Sequence, residues 1–302
     1  MIDRIVIYIN GVDFDDIEKR IGLEPTGEAR DGSAIYSSKL NNIKFRYAGE
    51  RLQINGSLHK FIKGNNYGLF TYNESKDALI HLSEYVGIAL DRFVVSQIEL
   101  GLNFSLSNKI ERYLEIIHSY KNHSFNYMAP LKGTSKLKGC KCIMAEYTIK
   151  FYDKTFETIK TERIPKSKWD SIPSNILRYE IVLSRKQLKY EGFTNVTGKN
   201  LLSPLHYIRF KRLMNRILSK ILFKDFSINY SLLEADKVKN YIFAMSNTYD
   251  QYLRYLKDYK GEEEYRKEKR RTNELLKKIA PLKKGKFEAE LKSEFKLALS
   301  KI

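Results

Sequence analysis

Seven residues in four short β-like runs have the types and spacing for chemistry on a phosphate. In 96–104, Ile98, Leu100, Leu102 and Phe104 alternate with Gln97, Glu99 and Asn103, and Gly101 leaves room between the last two. In 147–152, Tyr147, Ile149 and Phe151 form an apolar row opposite Thr148, Lys150 and Tyr152. In 177–183, Leu177, Tyr179, Ile181 and Leu183 point away from Arg178 and Glu180. In 57–61, His59 falls with Ser57 and Phe61. If these runs were neighbours in one sheet, a single face would gather His59, Glu99, Asn103, Lys150, Tyr152, Arg178 and Glu180. Such a set combines a nucleophile, two carboxylates, an imidazole and two cations, and can hold a divalent metal and a phosphate together. The same pattern also suits the wetted face of an ordinary antiparallel sheet.

Other constellations are weaker. Cys140 and Cys142 make a C-x-C pair near His118 and His123, without the four-ligand spacing of a zinc site. No GxxxxGK, GxGxxG, G-x-S-x-G or H-E-x-x-H motif is present.

The elements needed to position these residues read as follows. Residues 3–9 are a β-branched strand, and 42–47 with 51–62 form a hairpin turning at Ala48-Gly49. A helix is predicted over 75–89, with Leu79, Leu82, Val86 and Ala89 on one stripe and Ser75 as its cap. The run 93–106 is the most strand-like in the chain, followed by a short helix over 108–120 and a Lys-, Gly- and Ser-rich loop over 121–141. Strands at 145–153 and 176–184 complete the mixed part. From about residue 199 helices dominate, so the expected division is an α+β domain over 1–198 and a helical C-terminal region over 199–302.

The chain has 302 residues and a formal charge of +18, with 21 Tyr and 16 Phe. A basic, aromatic surface suits phosphate neutralisation and base stacking. A hydrophobic content of 42% excludes a wholly disordered chain, and two cysteines exclude a disulfide scaffold. No stretch approaches a membrane span, the N-terminal apolar run is too short for a signal peptide, and the expected location is the cytoplasm. Lys132, Lys136 and Lys138, with the basic stretch 209–220, are the expected phosphate contacts.

The runs INGSLHKFIKGNN (54–66), QIELGLNF (97–104), YTIKFYDKTFE (147–157) and ILRYEIVL (176–183), in this order, resemble the gene II/gene X replication initiators of filamentous phages and their plasmid and phage relatives. The opening MIDRIVIYI resembles the start of the filamentous-phage protein, and the resemblance spans about residues 1–225. It implies an HUH-endonuclease-like antiparallel sheet flanked by helices. The implied activity is site-specific nicking of origin DNA through a 5′-phosphotyrosine, with later rejoining of the displaced strand in rolling-circle replication. The family's catalytic tyrosine falls on Tyr152, preceded by Phe151 and followed by Lys154, and its acidic positions fall on Glu99 and Glu180. The sequence lacks the two-histidine triplet that names HUH enzymes. The implied site for Mg²⁺ or Mn²⁺ is therefore His59 with Glu99 and Glu180. Lys150 and Lys154 would stabilise phenolate or phosphate oxygens, and Arg178 would clamp a phosphate or pair with Glu180. The implied partners are origin DNA, single-stranded or supercoiled, and a host helicase and polymerase. Two other readings fit the residues: a DNA-binding replication regulator without the chemistry, and a relaxase-like mobilisation protein.

Overall fold

The computed structural model describes residues 1–128, 138–225, 234–279 and 285–302. Alternating β-branched and aromatic residues build strands β1 (Ile2–Asn10), β2 (Glu24–Glu28), β3 (Ala34–Leu40), β4 (Ile43–Ala48), β5 (Arg51–Ser57) and β6 (Val94–Ser105). Further along come β7 (Ile117–Tyr120), β8 (His123–Ser124), β9 (Asn126–Tyr127), β10 (Gly139–Ile143), β11 (Tyr147–Asp153), β12 (Ile176–Ser184) and β13 (Ile221–Phe223). Among the described residues, ten of them form one antiparallel sheet in the order β2-β3-β4-β5-β1-β6-β12-β11-β10-β9. A smaller sheet orders β13-β7-β8. The class is α+β, as the sequence implies.

The helices are α1 (Phe14–Ile21), α2 (Leu58–Lys63), α3 (Tyr72–Val86), α4 (Ile110–Ile116), α5 (Lys154–Thr161), α6 (Arg185–Tyr190), α7 (Gly198–Leu201) and α8 (Pro204–Ser219). After them come α9 (Ala235–Met245), α10 (Asn247–Tyr255), α11 (Glu262–Ile279) and α12 (Lys286–Ser300). The N-cap of α3 is Thr71, in a capping box with Glu74, rather than Ser75. Ser75 instead lies buried within the helix. The box satisfies two of the free N–H groups at the helix start, which a cap four residues later would leave unpaired.

One face of the sheet is apolar and covered. Phe14 of α1 meets Tyr47 with ring centroids 5.4 Å apart, and Tyr85 of α3 meets Phe45 at 5.8 Å. The Tyr179 hydroxyl donates to the Met214 carbonyl of α8 at 3.3 Å, and Phe295 of α12 packs edge-on against Tyr179 at 5.7 Å. Residues far beyond 199, Leu291 and Phe295 among them, thus share the core of the sheet. A second, smaller apolar cluster joins Tyr241, Ala244 and Met245 of α9 to Leu276 of α11.

Candidate active site

The central strands β1, β6, β12 and β11 lie side by side, so the residues on their polar faces come together. Register places Arg178 between Asn103 and Tyr152, and Glu180 between Gly101 and Lys150. The apolar rows of these strands, Leu100, Leu102, Tyr179, Ile181, Ile149 and Phe151, point into the core, which fixes the polar residues on the opposite side.

Arg178 is the hub. Its guanidinium lies over Gly101, where a Cβ would collide with it. Its Nη1 donates to the Asn66 carbonyl at 2.9 Å and to Asn103 Oδ1 at 3.0 Å. Its Nε donates to Glu180 and its Nη2 to Asp3. The Tyr152 hydroxyl donates to Glu180 Oε1 at 2.6 Å. The Lys150 ammonium bridges Glu99 at 3.1 Å and Glu180 at 3.2 Å.

Burial and charge set the protonation states. Burial alone would lift Glu180, but Arg178 and Lys150 outweigh it and hold the carboxyl below its usual range. Burial likewise acts to lift Asp3, and Arg178 with the Ser57 hydroxyl outweighs it. Glu99 has weaker compensation, and burial with the neighbouring Glu180 charge pushes it up to about 7. Burial, then Glu180, pushes the Tyr152 phenol well above its ordinary value. The phenol is therefore protonated at rest, with its proton already directed at a carboxylate.

Asp3, Glu99 and Glu180 each offer an oxygen within 4.8 Å of the others. Hard oxygen donors of this kind suit Mg²⁺ or Mn²⁺. Three carboxylates against the two cations Arg178 and Lys150 also leave the site one positive charge short. The residues present therefore fit a divalent cation, and the group could hold one.

The sequence-predicted residues divide. Glu99, Lys150, Tyr152, Arg178 and Glu180 come together. His59 borders them without entering the carboxylate group: it lines a small recess with Gly101, Asn103 and Arg178, but from α2 rather than from a strand, because Ser57 ends β5 and caps the helix by accepting from the Lys60 N–H at 3.0 Å. The imidazole is 3% exposed, stacks on Phe70 at 4.5 Å, leaves Nε2 without a partner, and is outside the carboxylate group. Burial and then Arg178 lower its pKa to about 3. Lys154 does not extend the strand either, since Asp153 caps α5 by accepting from the Phe156 N–H at 2.8 Å. Its buried ammonium pairs with Glu157. Arg178 is 1% exposed with its donors taken inside the protein, so it is an internal partner of Asp3 and Glu180 and not a clamp presented to DNA. Lys138 pairs with Glu111 at 3.0 Å and Asp153 at 3.5 Å, which occupies the charge expected to meet phosphate. Lys132 and Lys136 lie outside the described residues.

Asp3 is the residue that alternation misses. With Ile5, Ile7 and Ile9 in the core, position 3 should face inward too. A bulge between Ile2 and Arg4 breaks the count, with Ile2 opposite Leu100 but Arg4 opposite Glu99. The extra residue is Asp3, whose carboxylate meets Arg178 and accepts from Ser57 at 2.6 Å.

No family model matches the chain, and no curated protein matches it. Among solved structures the chain is similar to the rolling circle replication initiator protein from Geobacillus stearothermophilus. The two are 10% identical, with a TM-score of 0.44, and the match covers 78% of this chain and 89% of that one.

Proposed function

We propose that the protein is a replication initiator that nicks one strand of origin DNA through Tyr152 and later rejoins it, as the gene II/gene X resemblance implies. The observation that carries this reading is the Tyr152–Glu180 hydrogen bond of 2.6 Å beside the Lys150 bridge and the Asp3, Glu99 and Glu180 carboxylates. A tyrosine held this way is a nucleophile with its base attached. Its proton passes to Glu180 Oε1 as the phenol oxygen attacks the phosphorus. The P–O3′ bond breaks, the 5′ phosphate stays on Tyr152, and the O3′ takes the proton that Glu180 received and leaves as the free hydroxyl, which returns Glu180 to the carboxylate. Rejoining reverses each transfer. Lys150 stays beside Glu180 and offsets charge building on the phosphate oxygens. Asp3, Glu99 and Glu180 would hold a divalent cation, which supplies Lewis-acid stabilisation of the phosphate.

A surface for DNA adjoins the site. On the polar face, toward the edge beyond the site, β3, β4 and β5 present exposed Lys39, Lys44, Arg46 and Arg51 with Gln53 and Asn55, and β1 adds exposed Arg4. No carboxylate stands at the described positions of this face on those three outer strands. Cations and amides without acids suit a phosphodiester backbone, and they replace Lys138 and Arg178 in that role.

The direct test is incubation with supercoiled DNA carrying the protein's own origin in Mg²⁺ or Mn²⁺. Conversion to the nicked form, stopped by excess EDTA, is expected. Retention of the DNA with no nick would favour the regulator without chemistry.

A further inference from the structure

A strongly basic stretch lies on the side of the sheet away from Tyr152. Residues 185–220, which hold α6, α7 and α8, carry nine lysines and arginines and a single acid, Glu191, in a chain whose net charge is +18. The apolar side of α8, with Phe210, Leu213, Met214 and Ile217, enters the core on the covered face, where Tyr179 reaches the Met214 carbonyl. Its other side is exposed at Arg212, Asn215 and Arg216, and exposed Lys220 follows at its C-terminus. The end of α6 meets that side. Glu191 there accepts from Arg216 through its carboxylate, and from Arg209 through its backbone carbonyl at 2.9 Å. Glu146, bordering α6, pairs with Lys186 at 3.3 Å, and Asp91 stands on the turn Leu90–Arg92 beside α7. Arg185, Lys189, Lys199, Arg212 and Lys220 are exposed and make no ion pair among the described residues.

We infer that this surface binds duplex DNA, as a second contact separate from the cations of β1, β4 and β5 on the opposite face. Five unpaired cations, beside two acids that are already paired, select a polyanion. A duplex carries one charge per about 1.7 Å of its axis and releases more counterion per phosphate than a single strand, so clustered cations gain most from it. An unpaired strand needs a series of open rings for its bases, and Tyr190 is the one exposed aromatic ring of the stretch. An anionic membrane would need the apolar side of α8, which is buried in the core; of its large apolar side chains only Leu205 and Ile208 are exposed. The surface shares no residue with the Tyr152 site, so nicking can fail while this inference holds.

The test is lysine footprinting of the full wild-type chain, acetylated with and without an excess of a short random-sequence duplex and mapped by peptide. Lys189, Lys199 and Lys220 are expected to lose most of their reactivity when the duplex is present. A second arm measures duplex affinity by fluorescence anisotropy in the chain carrying Arg4→Ala, Lys44→Ala and Arg46→Ala, which removes contacts from the opposite face. Adding Lys189→Gln, Arg212→Gln and Lys220→Gln should weaken the remaining binding at least about tenfold at physiological salt. These are exposed positions, circular dichroism confirms that the variants fold, and the footprint needs no variant at all. Unchanged reactivity of the three lysines with excess duplex would overturn the inference, as would unchanged affinity after the three glutamine substitutions. Protection by oligo(dT) and not by duplex would make this a single-strand contact, and protection by phosphatidylserine vesicles and not by duplex a membrane contact. Either result overturns the assignment to duplex DNA.

Discussion

The phenol of Tyr152 and the carboxylate of Glu180 meet diagonally across β11 and β12, O–H to Oε1, at 2.6 Å. Directly opposite Tyr152 is Arg178, and directly opposite Glu180 is Lys150. Each reacting oxygen thus has a cation as its cross-strand neighbour, and the carboxylate binds the proton the nucleophile must lose. The arrangement depends on Gly101, the residue across from Glu180 on β6.

Gly101→Ala should therefore misplace the site. The new methyl would occupy the position of the Arg178 guanidinium, which is boxed in by Asp3, Asn103 and Glu180. Overpacking of this kind costs about 1–3 kcal/mol. The expected outcome is a lower denaturation midpoint together with loss of nicking. A variant with unchanged stability and activity would mean that Arg178 can move aside freely.

Asp3 and Glu99 should behave differently although both belong to the carboxylate group. Removing Asp3 leaves the buried Arg178 short of a partner, so Asp3→Ala is expected to cost about 3–5 kcal/mol. Glu99, pushed up to about 7, is already half protonated near neutral pH. Glu99→Gln should shift stability by less than about 1 kcal/mol while greatly reducing metal-dependent nicking. Urea denaturation and a nicking assay on both variants check the contrast.

These two carboxylates also mark what the sequence could and could not convey. Alternation in 96–104, 147–152 and 177–183 correctly separated the apolar face from the polar one, because the strands are regular there, but it gave no sign that Glu99, Arg178 and Glu180 on the polar face are buried as well. It failed at Asp3, where one bulged residue reverses the face. It failed at His59 and Lys154 for a different reason: Ser57 and Asp153 stop their strands and cap helices, and a polar residue within a β-like run gives no warning of that. The basic sheet face was also missed, since Lys44 and Arg46 of β4, Arg4 of β1 and Arg51 of β5 come from three strands and form no run in the chain.

DNA binding should weaken steeply with salt, and this face should carry part of the slope. Neutralising each phosphate contributes about −0.9 to the slope of log K against log[salt]. Replacing Arg4, Lys44 and Arg46 together by alanine is expected to make that slope shallower by about 2–3. An unchanged slope would assign the contacts to another surface.

His59 should make stability depend on pH. Its folded pKa of about 3 lies below the ordinary value of 6.5, so the unfolded chain binds the proton first. The stabilising difference is complete above pH 6.5 and is lost as pH falls toward 3. Between pH 6.5 and 4.5 the imidazole should account for about 2–3 kcal/mol of lost stability. Thermal denaturation of His59→Gln should show that much less pH dependence than the wild type, and equal dependence would place the titration elsewhere.

The most direct test is peptide mapping of the covalent adduct trapped between the protein and origin DNA. Tyr147 provides an internal control, since it pairs with Leu183 on the covered face and lies 6.2 Å from the Tyr120 ring. The expected result is a 5′-phosphate on Tyr152, no adduct from Tyr152→Phe, and an ordinary adduct from Tyr147→Phe. A label on Tyr147, Tyr127 or any residue other than Tyr152 would contradict the proposed chemistry.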